Sequence, residues 1–235
     1  LAIAQRLGEE GATVVISSRR QQNVDDALQE LRQNGITRAY GCASHAGTEE
    51  EVKRLIDFVV HKCQLQKINI LVCNAATNPH FGDLMTAEAS HWNKTYQVNL
   101  LGPYLLCKHA LPFMPKHKSS IIMNASVGAY KLGNENGIYC ILKLAMVGMV
   151  RVMSKSLAKD GIRVNCVSPG LIKTKFSQAL TEKVEKGEVP ISSYSVLRRF
   201  GEAKEIASVV AFLAGNDASY ITGENIVISG GLSPR

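Results

Sequence analysis

No Cys-x-x-Cys pair occurs in this 235-residue chain, and none of its six histidines lies in a cluster with metal-ligand spacing. No metal is therefore expected. The six cysteines, Cys42, Cys63, Cys73, Cys107, Cys140 and Cys166, stand singly. Several lie in apolar runs, where a free thiol packs as a small hydrophobe, and this suits a reducing compartment. No apolar stretch is read as long enough to cross a membrane, which takes ~20 residues, so no span is expected. Basic residues outnumber acidic ones, 27 to 20, yet no run of five gathers them. A nucleic-acid partner is not expected on that distribution, whereas local basic residues that receive an anionic cofactor remain open. Linkers, repeats and low-complexity tracts are also missing, which leaves a single domain over residues 1–235.

What is present alternates. Residues 1 to 7 read as a helix already under way, closed by the glycines at 8 and 11, and Val14-Val15-Ile16 is a short buried strand. Helix follows over 21 to 34, and a weak strand over 38 to 42. The next helix runs from Thr48 to about residue 64, with Glu51 at capping-box spacing. Apolar strands are predicted at 68 to 73, 120 to 124, 162 to 167 and 224 to 228. Helices are predicted at 88 to 100, 103 to 115, 137 to 158 and 202 to 214, and residues 173 to 200 show no clear core pattern. Short apolar strands between helices predict a doubly wound, Rossmann-like α/β fold, a parallel sheet between two helical layers. Such folds open with strand, glycine-rich turn and helix. This chain opens inside the helix, without that strand or turn.

Tyr139 and Lys143 are four residues apart on the predicted 137–158 helix, so their side chains share a face. A tyrosine ordinarily titrates near ~10. A neighbouring ammonium favours phenolate and makes it a better acid/base near neutral pH. Alone the spacing is weak, since chance pairs are common. Ser126, at the end of an apolar strand and 13 residues before Tyr139, adds a hydroxyl where α/β sites assemble. Asn74-Ala75-Ala76 follows the strand at 68–73 with small side chains that let a ligand approach. Asn99 is an amide inside an apolar helix and needs partners. It could hold a water that relays protons to Lys143, or simply satisfy a helix kink.

Taken together these residues resemble the short-chain dehydrogenase/reductase family along essentially the whole chain. Asn74-Ala75-Ala76 is similar to its Asn-Asn-Ala-Gly element, and Asn99, Ser126, Tyr139 and Lys143 fall in the order and spacing of its catalytic tetrad. Ser168-Pro169-Gly170-Leu171-Ile172-Lys173-Thr174 resembles its Pro-Gly cofactor loop. There the backbone near Ile172 and the hydroxyl of Thr174 would hold the nicotinamide carboxamide and phosphate. A narrower likeness, to the member 4 type of carbonyl and retinal reductases, rests on residues 16 to 25, 78 to 82, 170 to 176 and 217 to 224. His45 stands where the wider family usually has an Asp facing adenine. The chain departs in having Asn124-Ala125 before Ser126 and Cys140-Ile141-Leu142 before Lys143. Because the absent strand is central in this family's sheet, the chain is expected to be a fragment of a longer protein.

The resemblance implies a reversible hydride transfer between NADP(H) and a small lipophilic carbonyl or alcohol. Tyr139 would act as acid/base, and Lys143 would tune it and bind ribose. Ser126 would position the oxygen. Ser18, Arg19 and Arg20 follow the strand Val14–Ile16, where an NAD enzyme places an acid on the ribose diol. Arginine instead offers bidentate pairing to a 2′-phosphate, which favours NADP(H). Phe176, Leu180, Tyr194 and Phe200 are expected to line part of an apolar pocket. Ile141, Ala145, Gly148, Met149 and Val152 make a helical stripe that the family uses as a dimer face, so a homotetramer is expected. The C-terminal Ser233-Pro234-Arg235 lacks the final leucine of a peroxisomal address. Cytoplasm and peroxisome both stay open, and mitochondrion too because no N-terminal signal can be read. A non-catalytic relative and an NAD-preferring enzyme are the rival readings.

Overall fold

The computed structural model describes residues 1–131 and 135–232. In chain order the elements are α1 (Ala2–Glu9), β1 (Val14–Ser18), α2 (Gln21–Gln33), β2 (Ala39–Ala43), α3 (Glu49–Asp57), β3 (Ile70–Cys73) and α4 (Ala89–Tyr96). There follow α5 (Gly102–Ala110), β4 (Ser120–Asn124), α6 (Gly137–Leu157), β5 (Arg163–Pro169), α7 (Gln178–Glu185), α8 (Ala203–Ala214) and β6 (Asn225–Ile228). Every strand pair is parallel. The fold is Rossmann-like α/β, as the alternation predicts.

The central strands explain the layering residue by residue. In β4, Ile121 and Met123 point to one face and Ile122 to the other, and all three are fully buried. Leu71 and Cys73 of β3 and Val164 and Cys166 of β5 join the first face, under α5 and α6. Ile70, Val72 and Val167 join the second, under α8. A period of two with both faces apolar is what a parallel strand between two helical layers requires.

The sheet itself departs from the single open sheet expected. β1 pairs only with β2, and β3-β4-β5-β6 form a separate four-stranded ladder. Between β1 and β3 no backbone ladder runs. Side chains bridge the interval: Ile3, Ala4 and Leu7 of α1 pack with Val14, Ile16, Ile70 and Val72 in one apolar cluster. Burial without direction therefore holds together what hydrogen bonding does not.

Three local readings need correction. Thr48 makes no side-chain cap at α3. Glu51 instead accepts from the His45 main-chain N–H at 3.2 Å and from Arg54 at 2.6 Å. The helices expected at 88–100 and 103–115 are joined by a π-helical turn, Gln97–Leu101, so that α4 and α5 nearly continue one another. Finally, the helical run Gly137–Asp160 is long and apolar enough to cross a membrane by length and composition, which the absence of any such stretch had not anticipated. Its burial explains the composition. Ile138, Leu142, Met146, Val147 and Val150 are core residues, Lys143 is buried among them, and the exposed Arg151 and Lys155 interrupt the outer face.

Gly102 opens α5 against the loop that carries His45. A Cβ there would stand 2.0 Å from the Ala46 carbonyl oxygen. Gly102→Ala is expected to destabilise the chain by about 1–3 kcal/mol through overpacking, read as an earlier urea midpoint. A midpoint equal to that of the parent chain would show that the α5–loop contact is not tight.

Candidate functional site

Because all the strands are parallel, their C-terminal ends lie along one edge, and the expected site residues follow those ends in turn. Ser18, Arg19 and Arg20 follow β1; His45 follows β2; Asn74-Ala75-Ala76 follows β3; Ser126 follows β4; Pro169 and Gly170 end β5. That edge is where open α/β sheets bind ligands. α6 then brings Tyr139 and Lys143 to the same place.

Ser126 sits in extended backbone at the start of a short turn, Val127–Ala129, and its Oγ accepts from the Gly128 N–H at 3.0 Å. Burial pushes the Tyr139 phenol up to about 12, and the nearby Ser126 hydroxyl offsets only part of that. The lowering expected from Lys143 is not the net effect. The Lys143 ammonium lies 5.6 Å from the Tyr139 ring centroid and donates to the Asn124 carbonyl oxygen at 2.5 Å. Lys143 is 1 % exposed, and desolvation pushes it down to about 8. Its two remaining donors have no hydrogen-bond partner among the described residues.

Asn124, passed over in the sequence as a mere departure, is central here. Its carbonyl receives Lys143, and its Nδ2 donates to Asn74 Oδ1 at 2.8 Å, linking β4 to the loop after β3. Its own Oδ1 is buried without a partner among the described residues. Asn99, fully buried in the π-helical turn, holds that same loop by both main-chain polar groups of Thr77. The Thr77 N–H donates to Asn99 Oδ1 at 2.8 Å, and Asn99 Nδ2 donates to the Thr77 carbonyl at 2.9 Å. Its amide is thus a clamp on the Ala75–Thr77 backbone.

The cofactor candidates divide. Arg19 and Arg20 are exposed and have no hydrogen bond or ion pair among the described residues, so two guanidiniums stand free beside β1. Ser18 Oγ accepts from Asn23 Nδ2 at 3.3 Å. His45 Nδ1 accepts from the Gly47 N–H at 3.1 Å, so a neutral His45 ring carries its proton on Nε2. Gly170 uses its N–H on the Ile228 carbonyl, at 2.8 Å. Ile172 bridges to Gly201, and its carbonyl accepts from the Ser177 hydroxyl. Thr174 Oγ1 bonds Ser177 Oγ at 3.1 Å, within the cap of a short turn. These residues fit a dinucleotide at the strand ends: free arginines at one end, a buried ammonium with spare donors at the other.

The apolar pocket expected from Phe176, Leu180, Tyr194 and Phe200 is not assembled as one. Phe176 packs its ring against that of Tyr139, centroids 5.7 Å apart and planes tilted by 43°. Tyr194 lines a separate cavity of about 150 Å³ with Leu171, Ile172 and Ile228, and Phe200 lies under Lys173 at 5.9 Å. The segment bearing Phe176 and α7 is tied across the site by Lys183, which meets the Phe81 ring at 5.2 Å and Glu135 at 3.2 Å.

Known proteins resemble this chain along nearly its whole length. A family model described as enoyl-(acyl carrier protein) reductase matches residues 1–233. Dehydrogenase/reductase SDR family member 4 of Caenorhabditis elegans is 42% identical over 238 residues, covering 100% of this chain and 91% of its own length. The Homo sapiens protein of the same name is 41% identical, with 100% and 83% covered. The chain belongs to the short-chain dehydrogenase/reductase family. Among solved structures, a short-chain dehydrogenase/reductase from Brucella melitensis, titled a glucose/ribitol dehydrogenase, superimposes with a TM-score of 0.85 at 31% identity, covering 99% of this chain and 90% of its own. A blue fluorescent protein from a metagenomic library, in complex with NADPH, gives 0.88 at 26%, with 99% and 92% covered. As a member of that family the chain is an oxidoreductase that uses a nicotinamide cofactor.

The depressed Lys143 has a signed consequence for this short-chain dehydrogenase/reductase. Its folded value, about 8, lies below the ordinary 10.5. Between the two, the unfolded chain binds more protons, so stability rises with pH. Lys143→Met removes a buried-charge cost of about 3 kcal/mol at pH 7. The advantage of this variant over the parent in urea should shrink markedly by pH 9.5. Equal advantages at both pH values would mean that Lys143 is not desolvated.

Proposed function

We propose that this chain interconverts lipophilic carbonyl compounds and alcohols, with NADP(H) as the preferred cofactor. The observation that carries the reading is the buried Lys143 ammonium, held on the Asn124 carbonyl and 5.6 Å from the Tyr139 ring, with the Ser126 hydroxyl near the same phenol. Ser126 holds the substrate oxygen, and Tyr139, within reach of the same oxygen, gives or takes the proton. NADP(H), when bound, supplies or accepts the hydride. Lys143 binds ribose hydroxyls with its spare donors, and near neutral pH its charge stabilises the phenolate formed as Tyr139 gives its proton to the substrate oxygen. With the phenol held up to about 12, Tyr139 keeps its proton through neutral pH, which suits carbonyl reduction. The reverse oxidation needs phenolate and gains from alkaline pH. Asn99 supports a water relay toward Lys143 with the hydrogen-bonding capacity its Thr77 clamp leaves over.

Arg19 and Arg20 favour NADP(H) because a 2′-phosphate would find unpaired guanidiniums and no carboxylate in the Ser18–Arg20 segment. His45 faces adenine, and Asn74, Ala75, Ala76, Pro169, Gly170, Ile172 and Thr174 provide close backbone or hydroxyl contact. Phe176, 55% exposed and packed against Tyr139, presents an apolar wall to a ketone, α-dicarbonyl, retinal or steroid.

A homo-oligomer, as a tetramer, accompanies this reading. Ile141, Leu144, Ala145, Gly148 and Val152 form an exposed stripe on α6, and Tyr104 of α5 is also exposed. Cytoplasm, peroxisome and mitochondrion all remain candidate locations, and Ser233-Pro234-Arg235 lies outside the described residues.

Two outcomes test the catalytic reading. Tyr139→Phe should lower turnover by at least about 10²-fold while NADPH binding, followed by nucleotide fluorescence, is retained. Full turnover in that variant would remove Tyr139 from the chemistry, and a parent chain that binds NADPH without reducing any carbonyl would favour a non-catalytic relative. Arg19→Ala/Arg20→Ala should weaken NADPH by about 10-fold or more and leave NADH nearly unchanged. Equal losses for both cofactors would favour the NAD-preferring reading.

A further inference from the structure

Asn225 opens β6, although asparagine is depleted in strands because its amide competes with the ladder. Its side chain is bonded through both its oxygen and its nitrogen. Oδ1 accepts from Cys166 Sγ at 3.1 Å and from Ser168 Oγ at 2.9 Å, both donors lying on the neighbouring strand β5 and completely buried. Nδ2 donates to the Tyr130 phenolic oxygen at 2.8 Å. The bond joins residues 95 positions apart and does not belong to any helix or strand ladder.

Both ends of this amide lead to the reacting centre. Ser168 immediately precedes Pro169-Gly170, at the end of β5. Tyr130 closes the turn that Ser126 begins: the Ala129 N–H donates to the Ser126 carbonyl and the Tyr130 N–H to the Val127 carbonyl, each at 3.0 Å. The turn is pressed on its other side against α6, since a Cβ on Gly128 would come 2.9 Å from the sulfur of Cys140, the residue after Tyr139. The segment bearing Ser126 is thus fixed at its start by β4, at its middle by α6, and at its end by Asn225. Only the last of these anchors is a single side-chain hydrogen bond.

We propose that Asn225, acting through Tyr130, is a positioning residue that sets the Ser126 hydroxyl relative to Tyr139 and ties the Ser126 turn to the Pro169-Gly170 loop. The proposal rests on the carbonyl-reductase reading above. Neither residue touches substrate or cofactor. Their effect is on the alignment of the proton donor with the carbonyl oxygen, where small displacements cost rate more than binding.

The test compares the full-length parent with Tyr130→Phe, Asn225→Leu, the double variant and Asn225→Asp, using NADPH and a small aromatic α-diketone. Tyr130→Phe keeps the ring that packs on the core and loses only the hydroxyl. It should lower kcat by about tenfold with KM for the diketone changed less than about twofold and the NADPH dissociation constant unchanged by fluorescence. Asn225→Leu should lower kcat at least as much, and the double variant no further, because the two residues act as one unit. Asn225→Asp retains two acceptor oxygens that can receive the Tyr130 O–H, and should restore kcat to within about threefold of the parent. A parent-like kcat in Tyr130→Phe overturns the proposal. So do additive losses in the double variant, or a loss of NADPH binding and melting temperature in step with kcat, which mark a purely structural bond. A parent chain with no carbonyl-reducing activity overturns the reading beneath the proposal as well, and is distinguished by the parent alone.

Discussion

An ammonium group buried among apolar side chains is costly unless something holds it, and Lys143 is held by the Asn124 carbonyl at the end of β4. Much of the site depends on that contact. It sets α6 against the sheet, and so places Tyr139 beside Ser126. It recruits Asn124, whose amide reaches Asn74 and thereby joins the loops after β3 and β4. Asn99 completes the set by bonding both the N–H and the carbonyl of Thr77. The polar groups beneath the site form a connected set that ties helix, strand ends and loops to one another.

The frame around this centre is held in two ways. From β3 to β6 a continuous parallel ladder aligns the strand ends, and its apolar faces bury Ile121, Ile122, Val164 and Val167 completely. Between β1 and β3 the ladder is interrupted, and α1 supplies apolar side chains across the interval. Directional bonds set register, whereas apolar contact sets proximity only. The Ser126–Tyr139–Lys143 group therefore sits in the better-specified half. Ser18, Arg19, Arg20 and His45, which follow β1 and β2, sit on the half joined through side chains.

The electrostatic character of the site also comes from burial. Tyr139 is pushed up to about 12 and Lys143 down to about 8, both chiefly by desolvation. Each neutral form is favoured in the closed, apolar setting created by Phe176 and the core. The two shifts move the acid/base and its neighbour apart in proton affinity: nearly equal in water, they stand at about 12 and about 8 in the folded chain.

Much of this was legible in the chain itself. The alternation of short apolar strands with amphipathic helices determined the fold class, because parallel strands covered on both faces need that pattern. The order of Asn99, Ser126, Tyr139 and Lys143, with the motifs around them, carried the resemblance to the short-chain dehydrogenase/reductase family, to which the chain belongs. Other features belonged to the tertiary structure alone. The partner of Lys143 is a main-chain oxygen, which no residue identity announces. The direction of the Tyr139 shift depends on how deeply the helix is buried, and spacing cannot say that. The division of the sheet, the scattering of Phe176, Tyr194 and Phe200, the crowding at Gly102 and the bond between Tyr130 and Asn225 all join residues far apart in sequence. Contacts of that kind are decided by packing, where the whole chain must be in place before any one distance is set.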